Sequence, residues 1–327
     1  MTGDRRSFFA LNLTKPHHRS QHNRTSTTNG DEKMSSQEII ALREFLAASP
    51  DTNQMAIEER RAYFDSLAQQ FPTPESVSVE STVANGVRAE WVKAAGARPD
   101  KVILYLHGGG YLVGSPLSHR HLVAELSRAC SAFALAIDYR LAPENPFPAA
   151  VEDSVIAYRW LLDQGVAPAQ IIIAGDSAGG GLTVATLVSL RDQNIALPSG
   201  GVCISPWADL TNSAESYTTR AALDPMLTRE QLEAMASAYL AGASARTPLA
   251  SPVFADLRGL PPLLIQVGSD EVLLDDSLTL ARRAEEAGVA CSLEVWEEMV
   301  HVWHFFFPLL GEAGDAIGKI GEFVRAS

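Results

Sequence analysis

Cysteine is scarce. The chain has three in 327 residues, Cys130, Cys203 and Cys291, far apart and with no CxxC pair. That supports neither a disulfide framework nor a zinc site. Cys203 and Cys291 lie in strand-like runs and read as buried thiols. Positive charge is also short. Twenty-six Lys and Arg against 39 Asp and Glu leave a formal charge of −13. Phosphate binding needs clustered cations, so nucleic acid is a poor partner, and the acidity reads as a solubility device. No apolar run reaches the ~18 residues of a membrane span; the longest, after Asp176, is broken by Arg191. What is present is ordinary for a globular protein, 46% hydrophobic and 20% charged, and long enough for one large domain or two small ones.

Residues 1–33 differ from the rest. They hold six Lys/Arg, three Asp/Glu and His17, His18 and His22 with little periodicity, the pattern of a disordered tail. Arg5-Arg6-Ser7-Phe8-Phe9 faintly resembles a twin-arginine signal. Its apolar part is six residues, Phe8 to Leu13, and ends at Thr14-Lys15-Pro16 with no small-residue cleavage site after it. No signal peptide and a cytoplasmic setting are therefore expected. A flexible tail has nothing to orient metal-binding histidines, and no metal or cofactor is expected elsewhere.

Ser35-Ser36-Gln37-Glu38 has capping-box spacing and precedes Ile39, Leu42 and Leu46 on one helical face. A second helix is predicted over Ala56 to Gln70, with Ile57, Phe64, Leu67 and Phe71 in register, stopped by Pro72 and Pro74. Val77 and Val79 alternate with serines, and Val87 to Val92 follows Asn85-Gly86, a hairpin signal. Strands and helices then alternate. Strands are predicted at Val102 to Leu106, Ala132 to Ile137, Ile171 to Ala174, Val202 to Ser205, Leu263 to Val267 and Ser292 to Trp296. Helices are predicted around His121 to Cys130, over Ala149 to Gln164, from Ala178, over Asp275 to Ala287 and near the C-terminus. Such alternation implies a mainly parallel sheet with right-handed crossovers. One excursion of more than 50 residues, between Ser205 and Leu263, carries a capped helix (Thr228-Arg229-Glu230-Gln231, then Leu232, Met235 and Tyr239). A long insertion with its own helix reads as a lid, which the two N-terminal helices can join.

Gly175-Asp176-Ser177-Ala178-Gly179-Gly180 joins an apolar strand to an apolar helix. In G-x-S-x-G the small neighbours let helix and strand close up and project the serine oxygen from the sheet edge. A serine needs a base to become a nucleophile, and the base needs an acid to orient it. Gly268-Ser269-Asp270-Glu271 follows a strand, which puts Asp270 on the same edge; Met299-Val300-His301 follows the last strand. Asp270 is the expected acid and His301 the expected base. Glu271, Asp275 and Asp276 are neighbouring carboxylates, most of which read as a capped, solvated helix start, with Glu271 or Asp275 the alternative acid; His304 reads as packing or an outer donor. His107-Gly108-Gly109-Gly110-Tyr111 follows Val102 to Leu106, and its glycines can aim backbone N–H groups at a developing oxyanion.

With Asp138-Tyr139-Arg140-Leu141-Ala142-Pro143-Glu144 and Asp224-Pro225-Met226-Leu227 added, the chain resembles the bacterial hormone-sensitive-lipase-like (family IV) carboxylesterases of the α/β-hydrolase superfamily, over about Met34 to Ser327. The resemblance implies an α/β-hydrolase fold: a central, mostly parallel eight-stranded sheet flanked by helices, with a helical cap. It implies Ser177, Asp270 and His301 as the triad and the N–H groups of Gly109, Gly110 and Ala178 as the oxyanion hole. The expected organisation is a tail (1–33), a cap segment (34–75), core (76–207), a cap insertion (208–245) and core again (246–327). The 138–144 run is structural in that family. The residues agree, since Asp138 and Arg140 beside a strand end suit a buried ion pair. Trp207, Met226 and Leu227 are substrate-contact candidates, with Tyr111 and Asp176 next to the two loops.

The implied substrate is a small-molecule ester with a short to medium acyl chain. The same machinery serves lactones, carbamates, amides or acyl transfer. A non-catalytic binding protein is disfavoured by the complete triad; plant gibberellin receptors, which resemble the family, lack its histidine. An edge strand at Ser292 to Trp296 could pair two copies in a homodimer.

Overall fold

In the computed structural model, residues 36–50, 52, 54–67, 71 and 73–327 are described. The readings made for residues 1–33, for Ser35, for the Leu67 side chain and for the last turn of the second predicted helix lie outside them.

Two helices come first, α1 (Gln37–Ala47) and α2 (Ile57–Leu67). The Ser36 hydroxyl caps α1 by accepting the Ile39 N–H at 3.2 Å, leaving Ile39 and Leu42 buried on one face. A hairpin follows, β1 (Ser78–Ala84) and β2 (Val87–Lys93). Its turn residues Asn85 and Gly86 both have positive φ, 47° and 97°, as a two-residue type I′ turn demands.

The remaining elements are β3 (Arg98–Leu106), α3 (Pro116–Cys130), β4 (Ala132–Asp138), α4 (Ala149–Asp163), β5 (Ile171–Asp176), α5 (Ala178–Asp192), β6 (Gly200–Ile204), α6 (Ser216–Thr219), α7 (Arg229–Leu240), β7 (Leu263–Gly268), α8 (Leu274–Glu286), β8 (Cys291–Trp296) and α9 (Gly311–Ala326). The eight strands form one sheet in the order β1-β2-β4-β3-β5-β6-β7-β8. The two pairings of β2 are antiparallel, and β4, β3, β5, β6, β7 and β8 run parallel. The predicted helix at His121 begins five residues earlier, at Pro116, because Ser115 and Ser118 form a capping box there.

Burial explains the sequence runs. β5 and β6 are buried along their whole length, as central parallel strands covered on both faces must be. Helix α5 is buried all round from Ala178 to Leu190. It can lie that close because residue 179 is glycine; a Cβ there would sit 1.9 Å from the Leu106 carbonyl oxygen. The strands β3, β5, β6, β7 and β8 all point their carboxyl ends to one edge, where active sites of open α/β sheets form. The expected Asp138–Arg140 pair is not made. Asp138 pairs with Arg88 and Arg140 with Asp153 and Glu152, since each has a nearer partner across the sheet or on α4. Among the described residues no helix is long and apolar enough to cross a membrane.

Three buried histidines stand behind that edge. Burial pulls His107 down to about 3, His121 to about 4 and His304 to about 3, whereas an unfolded histidine takes its proton near ~6.5. Between pH 4 and ~6.5 the unfolded chain therefore binds more protons at these three sites, and stability falls as pH falls. Asp276, which burial pushes up to about 8, and Asp224 and His301, both raised above their ordinary values, act in the opposite direction over parts of that range. Denaturant midpoints are expected to drop from about pH 6 to about pH 4.5, below the ordinary histidine pKa of ~6.5; a flat or rising profile there would contradict the neutral burial of these rings.

Candidate active site

Ser177 lies between β5 and α5 with φ 53° and ψ −121°, a conformation that costs about 1–3 kcal/mol for a non-glycine residue. The backbone around it holds it there. Its N–H donates to the Ile204 carbonyl at 2.8 Å, and its carbonyl accepts the N–H groups of Gly180, Gly181 and Trp207 at 3.0, 3.2 and 2.9 Å. The hydroxyl is thereby aimed at His301, whose Nε2 is 2.9 Å from Ser177 Oγ.

The other imidazole nitrogen meets a carboxylate, and it is not that of Asp270. His301 Nδ1 is 2.8 Å from Glu271 Oε2, while Asp270 bonds Arg43 of α1. The turn after β7 makes the difference. Glu271 folds back so that its Oε1 accepts the Gly268 N–H at 2.6 Å and the Ser205 hydroxyl at 2.7 Å. Asp270 bonds its backbone N–H to the Met299 carbonyl at 3.3 Å, and its side chain leaves the turn on the other side. Glu271 is fully buried, and His301 is 4% exposed. Burial alone would lower the His301 pKa; the hydrogen bond and charge of Glu271, with Asp224 and Asp176 further off, raise it above the ordinary value.

The glycine loop lies beside the Ser177 junction: a Cβ on Gly179 would sit 2.7 Å from the His107 carbonyl oxygen. Gly109 and Gly110 have φ of 108° and 62°. Among the described residues, the N–H groups of Gly109, Gly110 and Ala178 take no hydrogen-bond partner. His107 pins the loop: its Nδ1 is 2.8 Å from the Gly108 carbonyl oxygen, and its ring stacks on Tyr139 at 4.1 Å. Asp176 joins the loop to the Ser177 turn. Its Oδ1 accepts the Gly108 N–H at 3.0 Å and the Tyr105 hydroxyl at 2.6 Å. Burial alone would raise this carboxyl; the His119 imidazole and the Tyr105 hydroxyl bring it below its ordinary value. Asp176, expected as a substrate contact, has its Oδ1 engaged by the Gly108 N–H and the Tyr105 hydroxyl and so braces the loop.

The other candidates separate into two groups. Tyr111 and Trp207 are buried; Tyr111 stacks on Tyr239 at 3.7 Å, and the Trp207 indole donates to Asn212 Oδ1 at 2.9 Å. Met226 and Leu227 are half-buried. Their N–H groups bond Asp224 Oδ1 at 2.9 and 3.0 Å, and Asp224 Oδ2 accepts the Val272 N–H at 2.9 Å. Asp224 therefore ties the insertion to the residue after Glu271. His304 bonds Gln266 at 2.8 Å and stays in the core. Sequence reasoning missed Ser205, Asp224 and Arg43 as supports, since each acts on a residue far along the chain. Glu271 had one local signal, its place one residue further into the turn.

A family described as an alpha/beta hydrolase fold matches residues 103–305. An acetyl-hydrolase of Streptomyces hygroscopicus is 47% identical over 294 residues, covering 90% of this chain and 98% of that protein. A crystal structure of an esterase/lipase from an uncultured bacterium is 51% identical with a TM-score of 0.86, covering 89% and 99% of the two chains. Another, of an esterase from the bacterial hormone-sensitive lipase family, is 47% identical with a TM-score of 0.87 over 90% and 99%. A sheet edge that gathers a strained serine, a histidine and a glycine loop, in a chain so close over nearly its whole length to these enzymes, belongs to the hormone-sensitive-lipase-like carboxylesterases of the α/β-hydrolase superfamily.

Proposed function

We propose that this carboxylic ester hydrolase works through Ser177, His301 and Glu271. The observation that carries the reading is the unbroken chain of contacts from Ser177 Oγ through the imidazole to Glu271, 2.9 and 2.8 Å long. Ser177 Oγ attacks the ester carbonyl carbon as its proton passes to His301 Nε2. Glu271 holds the Nδ1–H, which fixes the tautomer that leaves Nε2 free to accept, and it stabilises the imidazolium that forms. The carbonyl oxygen becomes an oxyanion within reach of the N–H groups of Gly109, Gly110 and Ala178. His301 returns its proton to the departing alkoxide, leaving the acyl group on Ser177. A water molecule then repeats the cycle in reverse and frees the acid.

The substrates in this reading are short- to medium-chain acyl esters. A cavity of about 310 Å³ lined by Arg60, Leu112, Thr228, Glu230, Gln231, Ala234 and Met235 opens between α2 and α7. Met235 also lies against Gly110, so this opening adjoins the oxyanion loop and suits a small-molecule ester. Met226 and Leu227 are read as walls of the site, and the buried Tyr111 and Trp207 as its support. Lactones, carbamates, amides and transfer to another alcohol share the same acyl-enzyme chemistry. The free edge of β8, with Val295 47% exposed, is where a second copy would pair, and the setting is read as cytoplasmic.

Ser177→Ala is expected to remove nearly all turnover of chromogenic esters with the fold intact. Glu271→Gln should cost on the order of 10⁴ in kcat, as loss of the orienting carboxylate does in other triads, and Asp270→Asn at most ~10-fold. The opposite order would return the acid role to Asp270.

His301 must be neutral to take the serine proton, and its pKa is raised. The rising limb of kcat/KM against pH should therefore sit above ~6.5. It should move to lower pH in the residual activity of Glu271→Gln, because the group that raises the pKa has been neutralised. A limb that stays in place would detach Glu271 from His301.

An acyl-length series run with lactones and amides should show fastest turnover with short to medium acyl esters. A preference for long-chain esters or for amides would contradict the substrate reading.

A further inference from the structure

We infer that Arg43 of α1 is a positioning residue for the triad. It holds the acid turn, the base turn and the cap insertion in one arrangement, an inference that rests on Glu271 and His301 being the working pair. Its guanidinium reaches all three. Nη2 bonds the Asp270 carboxylate and the Glu298 carbonyl at 3.0 Å, and Nη1 bonds the Leu223 carbonyl at 2.7 Å. Asp270 immediately precedes Glu271, Glu298 lies three residues before His301, and Leu223 immediately precedes Asp224. A planar fork with five donors can span such a set; an ammonium cannot.

The base turn requires external fastening. Glu298 and Val302, on either side of His301, both have positive φ, 62° and 47°, and a β-branched residue in that region is strongly disfavoured. Each is held by a side chain from elsewhere. Val302 gives its N–H to Ser205 Oγ at 3.1 Å, the same hydroxyl that donates to Glu271. Glu298 gives its carbonyl to Arg43 and its N–H to Ser269 Oγ at 2.8 Å, and Ser269 Oγ in turn donates to Asp270 at 3.0 Å. The acid and base turns are thus laced together through residues 269 and 270, and Arg43 closes the lacing from the cap side. Its neighbours seat it: Ile39 and Leu42 pack with Met299, Val300 and Trp303 in one buried cluster. Asp270, placed one residue from the acid, serves as the anchor for this arginine.

The test uses the full chain carrying Arg43→Ala, Arg43→Lys or Glu271→Gln, well below each variant's unfolding midpoint. Kcat and KM for p-nitrophenyl butyrate are measured separately, together with the rate at which an alkyl fluorophosphonate labels Ser177. Arg43→Ala is expected to lower kcat ~10- to 100-fold, the scale of a sub-ångström to ångström misplacement of catalytic groups, with KM within ~3-fold and labelling slowed in parallel. Arg43→Lys, which keeps the charge and loses the fork, should lose ~3- to 10-fold in kcat. A residue that only tethers α1 would lower the unfolding midpoint and leave kcat alone. A kcat for Arg43→Ala within ~2-fold of wild type, or a loss confined to KM, overturns the inference. If Arg43→Ala does not fold, Arg43→Lys decides in the same way, and a wild-type kcat there overturns it. Glu271→Gln separates the two levels: an active Glu271→Gln overturns the triad reading, whereas an inactive Glu271→Gln beside an unaffected Arg43→Ala overturns the role of Arg43 alone.

Discussion

The arrangement turns on one backbone conformation, the positive φ of Ser177. A serine there is strained, and it persists because four main-chain hydrogen bonds from β6, the start of α5 and Trp207 converge on its peptide groups. Those bonds require α5 to start almost in contact with β3, which requires Gly179. The same close approach places the free N–H of Ala178 beside the glycine loop that follows β3. A small-residue turn thus fixes the Ser177 hydroxyl, the unpaired Ala178 N–H and the distance between two core elements together.

Around that junction three helices, two N-terminal and one in the insertion, do more than cover the sheet edge. Each touches a different part of the site. Helix α1 packs on the turn that carries His301 and sends Arg43 to the acid turn. Helix α2 sends Arg61 to the Leu112 and Ala142 carbonyls, both at 2.9 Å, and to Glu144, bracing the glycine loop and the run after β4. Helix α7 lays Met235 against Gly110. The glycine loop and the His301 turn carry several left-handed residues, and such residues stay put only where surrounding contacts over-determine them.

The fold was legible because its signals are local and repeated. Continuous apolar runs such as Val102 to Leu106, separated by helices of ordinary length, leave few alternatives to a parallel sheet. Asn85-Gly86 marked the hairpin, and Thr228-Arg229-Glu230-Gln231 marked α7. Ser177, His301 and the glycine loop were legible because each directly follows a strand that ends at the same edge. Asp270 met that criterion equally well, and the criterion could not separate it from Glu271. Adjacent side chains leave a turn in different directions, and which one points at the imidazole depends on a back-bond from Glu271 to Gly268 and a hydroxyl from Ser205, 66 residues away. Asp176 shows the same limit: beside Ser177 in sequence, its carboxylate is engaged by Gly108 and Tyr105, partners 68 and 71 residues away.

The sequence by itself determined the order of strands and helices, the tight junction at Ser177, and the set of residue types able to carry acyl chemistry at one sheet edge. Those follow from periodicity, turn chemistry and glycine spacing, which act over a few residues. Only the tertiary structure decided which carboxylate holds His301, where Asp270 and Asp138 find their partners, and how the N-terminal helices bear on the catalytic turns. Each of those depends on side chains from distant segments meeting at hydrogen-bond range, and at that range one bond's difference in reach or direction changes the partner.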